Sequence, residues 1–342
     1  MASVDRMEKD PRAGQRTAWL KEHCAAPVRN IRPASEDASF RRYFRVDTPD
    51  GTLILMDAPP EREDMRPFVE VGRHFHGIGL NVPELVAVDL EAGFLLLSDL
   101  GDRLYLDALS EETVERLYGD ALGALLVIQS LGDTGGLPPY DRALLLAEME
   151  LFRDWLLARH LRLELDAAAQ AMLSVAFQRL ADSALEQPQV CVHRDYHSRN
   201  LMVTARNNPG ILDFQDAVIG PVTYDLVSLL RDCYIDWPRA RVEAWALGYR
   251  DLAEQGGVLV RDAVDEETFL RWFDWMGVQR HLKAAGIFAR LLHRDGKPGY
   301  IGDIPRTLGY VVEVCGRYPE LSGLGDLVAE VGERLKGHPG DG

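Results

Sequence analysis

The sequence predicts an α+β chain with a small β-rich N-terminal lobe and a large, mainly helical C-terminal lobe. Three observations carry this. Short strand-like runs separated by turn residues fill the first 97 residues. From residue 111 onward, apolar residues recur instead at three- and four-residue steps, the period of a helix. A polar loop, His193-Arg194-Asp195-Tyr196-His197-Ser198-Arg199-Asn200, then interrupts the helical half and is followed by Ile211-Leu212-Asp213-Phe214. With 342 residues and 46% hydrophobic content the chain is long enough for two cores.

In order, 17–24 reads as a short helix. Residues 40–46 and 52–57 read as paired strands, with Asp50-Gly51 as the turn between them. A helix follows at 67–77, Pro67 being acceptable in its first turn. Two more strands lie at 82–88 and 94–97. Ser98 to Arg103 is the expected hinge, giving domains 1–97 and 104–342. Residues 112–131 carry Val114, Leu117, Tyr118, Ala121, Leu122, Leu125 and Ile128 on one helical face. Further helices are expected at 144–160, 166–187, 225–234, 238–255, 266–293 and 304–315. Short strands flank the polar loop at 188–192 and 201–203, and Asn207-Asn208-Pro209-Gly210 turns the chain into another at 211–212. Trp272, Phe273, Trp275 and Phe288 read as core residues.

Composition narrows the function. A net charge of −16 argues against nucleic acid or an anionic membrane as partner. No run of about 20 apolar residues is present, so no membrane span is expected. Residues 1–10 lack the apolar core of a secretion signal. Cys24, Cys191, Cys233 and Cys315 lack metal-site spacing and read as free thiols of a reducing cytoplasm.

The polar loop carries chemistry. Phosphoryl transfer needs a carboxylate to orient and deprotonate a hydroxyl, and oxygen ligands to hold Mg²⁺ against a triphosphate. Asp195 is the candidate base. Asn200, five residues later, and Asp213, at the end of an apolar run, are candidate metal ligands. The spacing matches H-R-D-x-x-x-x-N followed by D-F-G, with Gln215 in place of the glycine. A hairpin through 207–210 would bring Asn200 and Asp213 close. No Ala-Pro-Glu segment follows Asp213, which argues against a protein substrate.

With Gly220-Pro221 and Asp225-Leu226 behind it, this set resembles the aminoglycoside phosphotransferase/choline kinase superfamily, over about residues 30–320. The resemblance implies a protein-kinase-like bilobal fold. In detail the chain resembles the bacterial anomeric kinases for N-acetylmuramate and N-acetylglucosamine. The stretches that carry this are Ala38-Ser39-Phe40-Arg41-Arg42-Tyr43-Phe44-Arg45, Met56-Asp57-Ala58-Pro59-Pro60-Glu61, Asp213-Phe214-Gln215-Asp216-Ala217, Gly286-Ile287-Phe288-Ala289-Arg290 and Arg294-Asp295-Gly296-Lys297. That branch implies a cytoplasmic enzyme of peptidoglycan recycling that uses Mg²⁺ and ATP to phosphorylate the C1 hydroxyl. Its partners would be the amino sugar and ATP, and the protein a monomer or weak dimer. The resemblance gives Asp195 the base role, Asn200 and Asp213 the metal, and Asp225 a supporting role under the loop. His197 stands where protein kinases often have a lysine near the transferred phosphate. It is a candidate for γ-phosphate contact or for loop support. Arg199 is a candidate for phosphate contact or for pairing with a local acid.

The nucleotide lobe departs from the kinase pattern. Kinases place a phosphate-binding lysine on the third strand, paired with a helix glutamate. Here no lysine occurs between Lys21 and Lys283. Arg42 and Arg45 are the candidates to replace it. Alternation puts Arg41 with Arg45 on one face and Arg42 on the other, without choosing between the faces. Glu70 is the candidate acid partner. Ser35-Glu36-Asp37-Ala38-Ser39 occupies the place of the glycine-rich loop, and Asp99-Leu100-Gly101 that of the hinge under adenine.

An N-acetylmuramate acceptor carries a carboxylate, for which Arg231, Arg280 and Lys283 are candidate cations. Gln215 and Asp216 are candidates for sugar hydroxyls. Two further readings stay open. One is an aminoglycoside, choline-like or homoserine-like alcohol kinase, for which Glu148, Glu150, Asp154, Asp232 and Asp236 would form an acidic pocket. The other is a nucleotide-binding pseudokinase.

Overall fold

The computed structural model describes residues 10–36, 40–132 and 135–337. Expectations for residues 1–9, and for Asp37, Ala38 and Ser39 of the phosphate loop, lie outside these. The chain forms two compact units, Met1–Arg103 with Met202–Asp216, and Leu104–Leu201 with Ala217–Gly342.

In the first unit, helix α1 (Ala13–His23) precedes strands β1 (Asn30–Glu36), β2 (Arg42–Thr48) and β3 (Gly51–Asp57), helix α2 (Arg66–Gly77), and strands β4 (Leu85–Asp89) and β5 (Phe94–Ser98). The strands form one antiparallel sheet in the order β1-β2-β3-β5-β4. Register pairs Phe44 with Leu55 and Leu55 with Leu96. These side chains therefore share a face, and they pack with Val46, Phe94, and Trp19 and Leu20 of α1 into a core. The β2–β3 turn is Pro49-Asp50, not Asp50-Gly51, since Thr48 already pairs with Gly51. Helix α1 starts four residues earlier than the apolar pattern suggests. Its first turn is held by charge: Arg12 and Arg16 bond the buried Asp57 at 2.7 and 2.8 Å. β1 was not expected, because Pro33 breaks any strand reading. It survives because it lies at the sheet edge, where a missing N–H costs nothing.

The sequence division assigned 202–216 to the helical lobe, but these residues pack with the first unit. Val203 N donates to Arg103 O (2.8 Å) and Ile211 N to Asn81 O (2.8 Å). Phe214 is fully buried against Phe68 and Phe75 of α2, at centroid distances of 4.8 and 5.9 Å. Gly72 lets it in: a Cβ there would lie 3.2 Å from the Phe214 ring.

The second unit is helical. Its main helices are α3 (Val114–Leu131), α4 (Arg142–Leu151), α5 (Ala167–Glu186), α6 (Tyr224–Leu230), α7 (Arg239–Gln255), α8 (Glu266–Asp295), α9 (Ile304–Cys315) and α10 (Ser322–Gly337). Asp141, Asp166 and Asp265 cap α4, α5 and α8, each accepting from a backbone N–H at 2.8–2.9 Å. Helix α8 is central, with buried residues all round its circumference through its middle turns. Trp272, Phe273, Trp275 and Phe288 on it are buried, as expected of core residues. The helix expected at 144–160 changes to wider π-type turns over Phe152–His160. Gly286 of α8 abuts that junction; a Cβ would fall 2.3 Å from the carbonyl carbon of Leu151. Strands β6 (Gln189–Val192) and β9 (Val218–Pro221) pair antiparallel. The two-residue strands β7 (Leu201–Met202) and β8 (Gly210–Ile211) pair as the expected hairpin. Among the described residues no helix is long and apolar enough to cross a membrane.

Candidate active site

In the second unit, β6 leads into the loop that carries Asp195. Two buried carboxylates hold this loop. Asp225, in the first turn of α6, accepts from the backbone N–H groups of His193 (2.6 Å) and Arg194 (2.9 Å). Asp232, just past the end of α6, accepts from Ser198 N (2.9 Å) and Tyr234 N (3.0 Å). One acid in the first turn of α6 and one just beyond its last thus grip the loop at two points, His193–Arg194 and Ser198. Burial pushes the Asp225 carboxyl up to about 7, against the pull of the two N–H donors. Tyr196 is buried, and its hydroxyl donates to Ala121 O (2.8 Å). Arg194 has the left-handed φ of 77°, a strained conformation for a non-glycine residue. Its backbone is fixed by Asp225 and its guanidinium by Glu148 (2.5 Å).

Within the loop, the Asn200 side-chain nitrogen donates to Asp195 O (3.0 Å), which fixes the orientation of its amide. Burial alone would raise the Asp195 carboxyl. The cations Lys283, Arg280 and Arg194, with the His197 imidazole beside them, outweigh it and hold Asp195 below the usual carboxylate range. Asp195 is therefore ionised at neutral pH. Burial lowers His197, which is neutral at pH 7, and its Nδ1 has no hydrogen-bond partner among the described residues.

Several expected acceptor residues are committed elsewhere. Lys283 is buried, 3.1 Å from Glu148 and donating to the Tyr224 hydroxyl (2.9 Å). Tyr140 also donates to Glu148. Arg231 is buried against Tyr310 and pairs with Glu313 at 2.8 Å. Both cations are thus already paired with acids of this unit. Burying either without its acid would cost far more than the pair contributes. The acids of the supposed aminoglycoside pocket do not form one either. Glu148 and Asp232 are bonded internally, and Glu150 pairs with Arg153 at 3.2 Å.

The first unit holds the remaining candidates. Arg42 faces the α1 side of the sheet and donates to Asp57 (2.6 Å) and Asp10 (2.8 Å). It shares Asp57 with Arg12 and Arg16, which places it in an ion-pair cluster at the α1 face. Arg45 lies on the opposite face and bonds Asp99 (2.6 Å) and the carbonyl of Gly101 (2.6 Å), bracing the hinge segment. Asp99 also accepts from Gly101 N, where the chain turns with a positive φ of 101°. Leu100 packs on Gly210. Glu70 is exposed on α2, because Phe68, Val69, Val71, Gly72 and Phe75 take the inner face.

The arginine nearest Asp213 is Arg41, with Nη1 3.8 Å from that carboxylate and Nε 3.7 Å from Glu63. Alternation along β2 had placed Arg41 with Arg45, but the residue was not singled out. Glu63 precedes α2 and bears no motif. Asp213 has a left-handed φ of 62°, which re-aims its carboxylate past the buried Phe214. Gln215 donates to Asp213 (2.8 Å) and reaches Asp216 at 3.4 Å. It thus orients the acid; Asp216 is exposed.

Residues 30–273 match the model of the phosphotransferase enzyme family, APH, and the chain belongs to that family. It is a phosphotransferase, of protein-kinase-like α+β fold. Among curated proteins it is 48% identical over 334 residues to an N-acetylmuramate/N-acetylglucosamine kinase of Pseudomonas putida, covering 95% of this chain and 98% of that one. It is 44% identical over 303 residues to the protein of the same name from Neisseria meningitidis serogroup B, covering 87% and 89%. Among solved structures it is similar to choline kinase LicA from Streptococcus pneumoniae, with TM-score 0.62 and 11% identity over 88% of this chain and 100% of that one. It is also similar to aminoglycoside phosphotransferase APH(2'')-Ib, with TM-score 0.60 and 15% identity over 88% and 98%. These two likenesses concern the fold alone.

Proposed function

We propose that this phosphotransferase is an ATP-dependent kinase for the anomeric hydroxyl of N-acetylmuramate and N-acetylglucosamine, acting in cell-wall sugar recycling. The observation that carries the reading is the identity of 48% with a kinase of that name over nearly the whole of both chains. The clamped, ionised Asp195 supplies the matching chemistry.

In this reading Asp195 orients the C1 hydroxyl. The hydroxyl oxygen bonds the γ-phosphorus, the bond to the β-phosphate oxygen breaks, and ADP leaves. The hydroxyl proton passes to the Asp195 carboxylate. An anomeric hydroxyl is more acidic than an ordinary alcohol, so a base held below the usual carboxylate range suffices. Most of the rate then comes from positioning and charge stabilisation. The strain at Arg194 and the two-carboxylate grip of the loop serve that positioning.

Asn200 and Asp213 would hold Mg²⁺, which when bound neutralises phosphate charge. The donor set fits: both supply hard oxygen atoms, and the bond from Gln215 to Asp213 fixes the acid's orientation. Arg41, paired with Glu63, takes the place of the absent strand lysine as a phosphate ligand. Arg45 and Asp99 brace the hinge.

The test is acceptor-dependent ADP release with both amino sugars, an aminoglycoside and choline. Release with the two amino sugars alone supports the reading. Release only with an alcohol acceptor, or with none, overturns it.

A further inference from the structure

The second unit satisfies most of its arginines with acids. Arg231 pairs with Glu313, Arg239 with Asp274, Arg241 with Glu111 and Glu115, and Arg271 with Glu320. In a chain with 54 acidic and 38 basic residues, an arginine left without an acid is the exception. Two such residues stand beside the catalytic loop. Arg199 makes no ion pair among the described residues. Its guanidinium lies 3.7 Å from the centroid of Tyr234 and 5.5 Å from that of Tyr300. Arg280 is only 6% exposed; its Nη1 donates to the Cys233 sulfur at 3.8 Å, and its Nε has no hydrogen-bond partner among the described residues. The rings continue as a connected wall. Tyr234 meets His197 at 5.5 Å and Phe288 at 6.2 Å, and Phe288 stacks on Tyr300 at 5.7 Å.

We propose that Arg199, held between Tyr234 and Tyr300, reads a carboxylate on the sugar acceptor and so distinguishes the acidic amino sugar from the neutral one. This rests on the proposed function above. The physical argument has three parts. Stacking fixes the guanidinium plane, so little side-chain entropy is lost when it engages a carboxylate through two parallel N–H···O bonds. The aromatic wall offers apolar faces to a sugar ring while displacing water from the charged pair. Arg280, buried and in no ion pair among the described residues, adds positive charge that offsets the nearby Asp195 and Asp232 and so lessens the repulsion an entering anion meets. Arg199 lies one residue before Asn200 and four after Asp195, on the loop that carries the base. It is therefore a specificity residue for the acceptor, where the sequence had suggested a phosphate contact or a local acid pair.

The experiment compares kcat/KM for N-acetylmuramate, its methyl ester and N-acetylglucosamine. A hydrogen-bonded charge pair is worth about 1.5–3 kcal/mol, or roughly 10- to 100-fold. Arg199→Gln is expected to lower the ratio of kcat/KM for N-acetylmuramate over N-acetylglucosamine by about that factor. Wild type should disfavour the ester to a similar degree, and Arg199→Gln should no longer distinguish acid from ester. Arg199→Lys should recover part of the ratio, keeping the charge but losing the fork. An unchanged ratio, with both sugars slowed alike, overturns the proposal and leaves the sugar-kinase reading standing. Wild-type enzyme that phosphorylates neither sugar overturns both.

Discussion

Two clusters of charge in this chain are built on opposite plans. At the end of β3 the fully buried Asp57 is bonded by Arg12, Arg16 and Arg42, and Asp10 completes the set. Every guanidinium there has an oxygen partner. Beside the Asp195 loop, Arg199 and Arg280 make no ion pair and the His197 Nδ1 has no hydrogen-bond partner among the described residues. The first cluster joins α1 to the sheet. The second leaves its side chains open to an outside partner, which is the basis of the acceptor-recognition proposal. Motif spacing alone does not separate the two, since Arg42 and Arg199 both sit in arginine-bearing stretches of recognisable type. What separates them is whether a counter-charge is already in place.

The comparison can be broken by exchanging the roles. The largest effect is expected at the loop. Asp195→Asn should lower kcat by about 10²- to 10⁴-fold, the usual worth of a positioned base, with the denaturant midpoint nearly unchanged. Retention of more than about a tenth of kcat would remove Asp195 from the mechanism. Next, Asp57→Ala should leave buried arginines uncompensated and cost about 3–5 kcal/mol of unfolding free energy, read by urea denaturation. A cost below about 1 kcal/mol would mean the cluster is not structural.

Legibility in the sequence follows the same division. The loop was readable because catalysis needs particular atoms at fixed spacing, so Asp195, Asn200 and Asp213 stand out as a set. The helices were readable from their period, and α8 ends within two residues of expectation. For Arg42, Glu70, Lys283 and Arg231 the surroundings were not legible, because the type of a charged residue does not reveal its partner. Asp57, Asp10, Glu148 and Glu313, which decide three of these cases, come from distant parts of the chain. For Glu70 the reason is a different one, the phase of α2. Asp232 was named only as a possible pocket acid. Its hold on Ser198 N comes from a position past the end of α6, which no periodicity marks. Arg41 was one residue away from the candidate chosen, and its face follows only once the register of β2 with β3 is known.

A smaller effect concerns pH. His281 on α8 is buried and donates to the Arg231 carbonyl (2.8 Å), and burial lowers it to about 3. Its ordinary value is 6.5. The unfolded chain therefore binds a proton below pH 6.5 that the folded chain refuses until about pH 3. Stability is fully present above pH 6.5 and is lost as pH falls toward 3. By pH 5 the loss should reach about 2 kcal/mol. His281→Gln should flatten this part of the stability–pH curve, and an unaltered slope would assign the acid sensitivity to other groups. Of similar or lesser size, Asp232→Asn should cost about 1–3 kcal/mol, because an amide cannot accept from both Ser198 N and Tyr234 N through two oxygens. If the two-point grip matters for catalysis, kcat should fall in this variant more than KM rises. Equal changes in both would reduce Asp232 to a packing role.

The most direct measurement is the phosphorus NMR spectrum of the product formed from Mg·ATP and N-acetylglucosamine by the wild-type chain, with Asp195→Asn as the control. The account predicts a new phosphate resonance coupled to the anomeric proton, absent with Asp195→Asn over the same time. A resonance coupled to the C6 protons, or one that forms equally fast with Asp195→Asn, would contradict it.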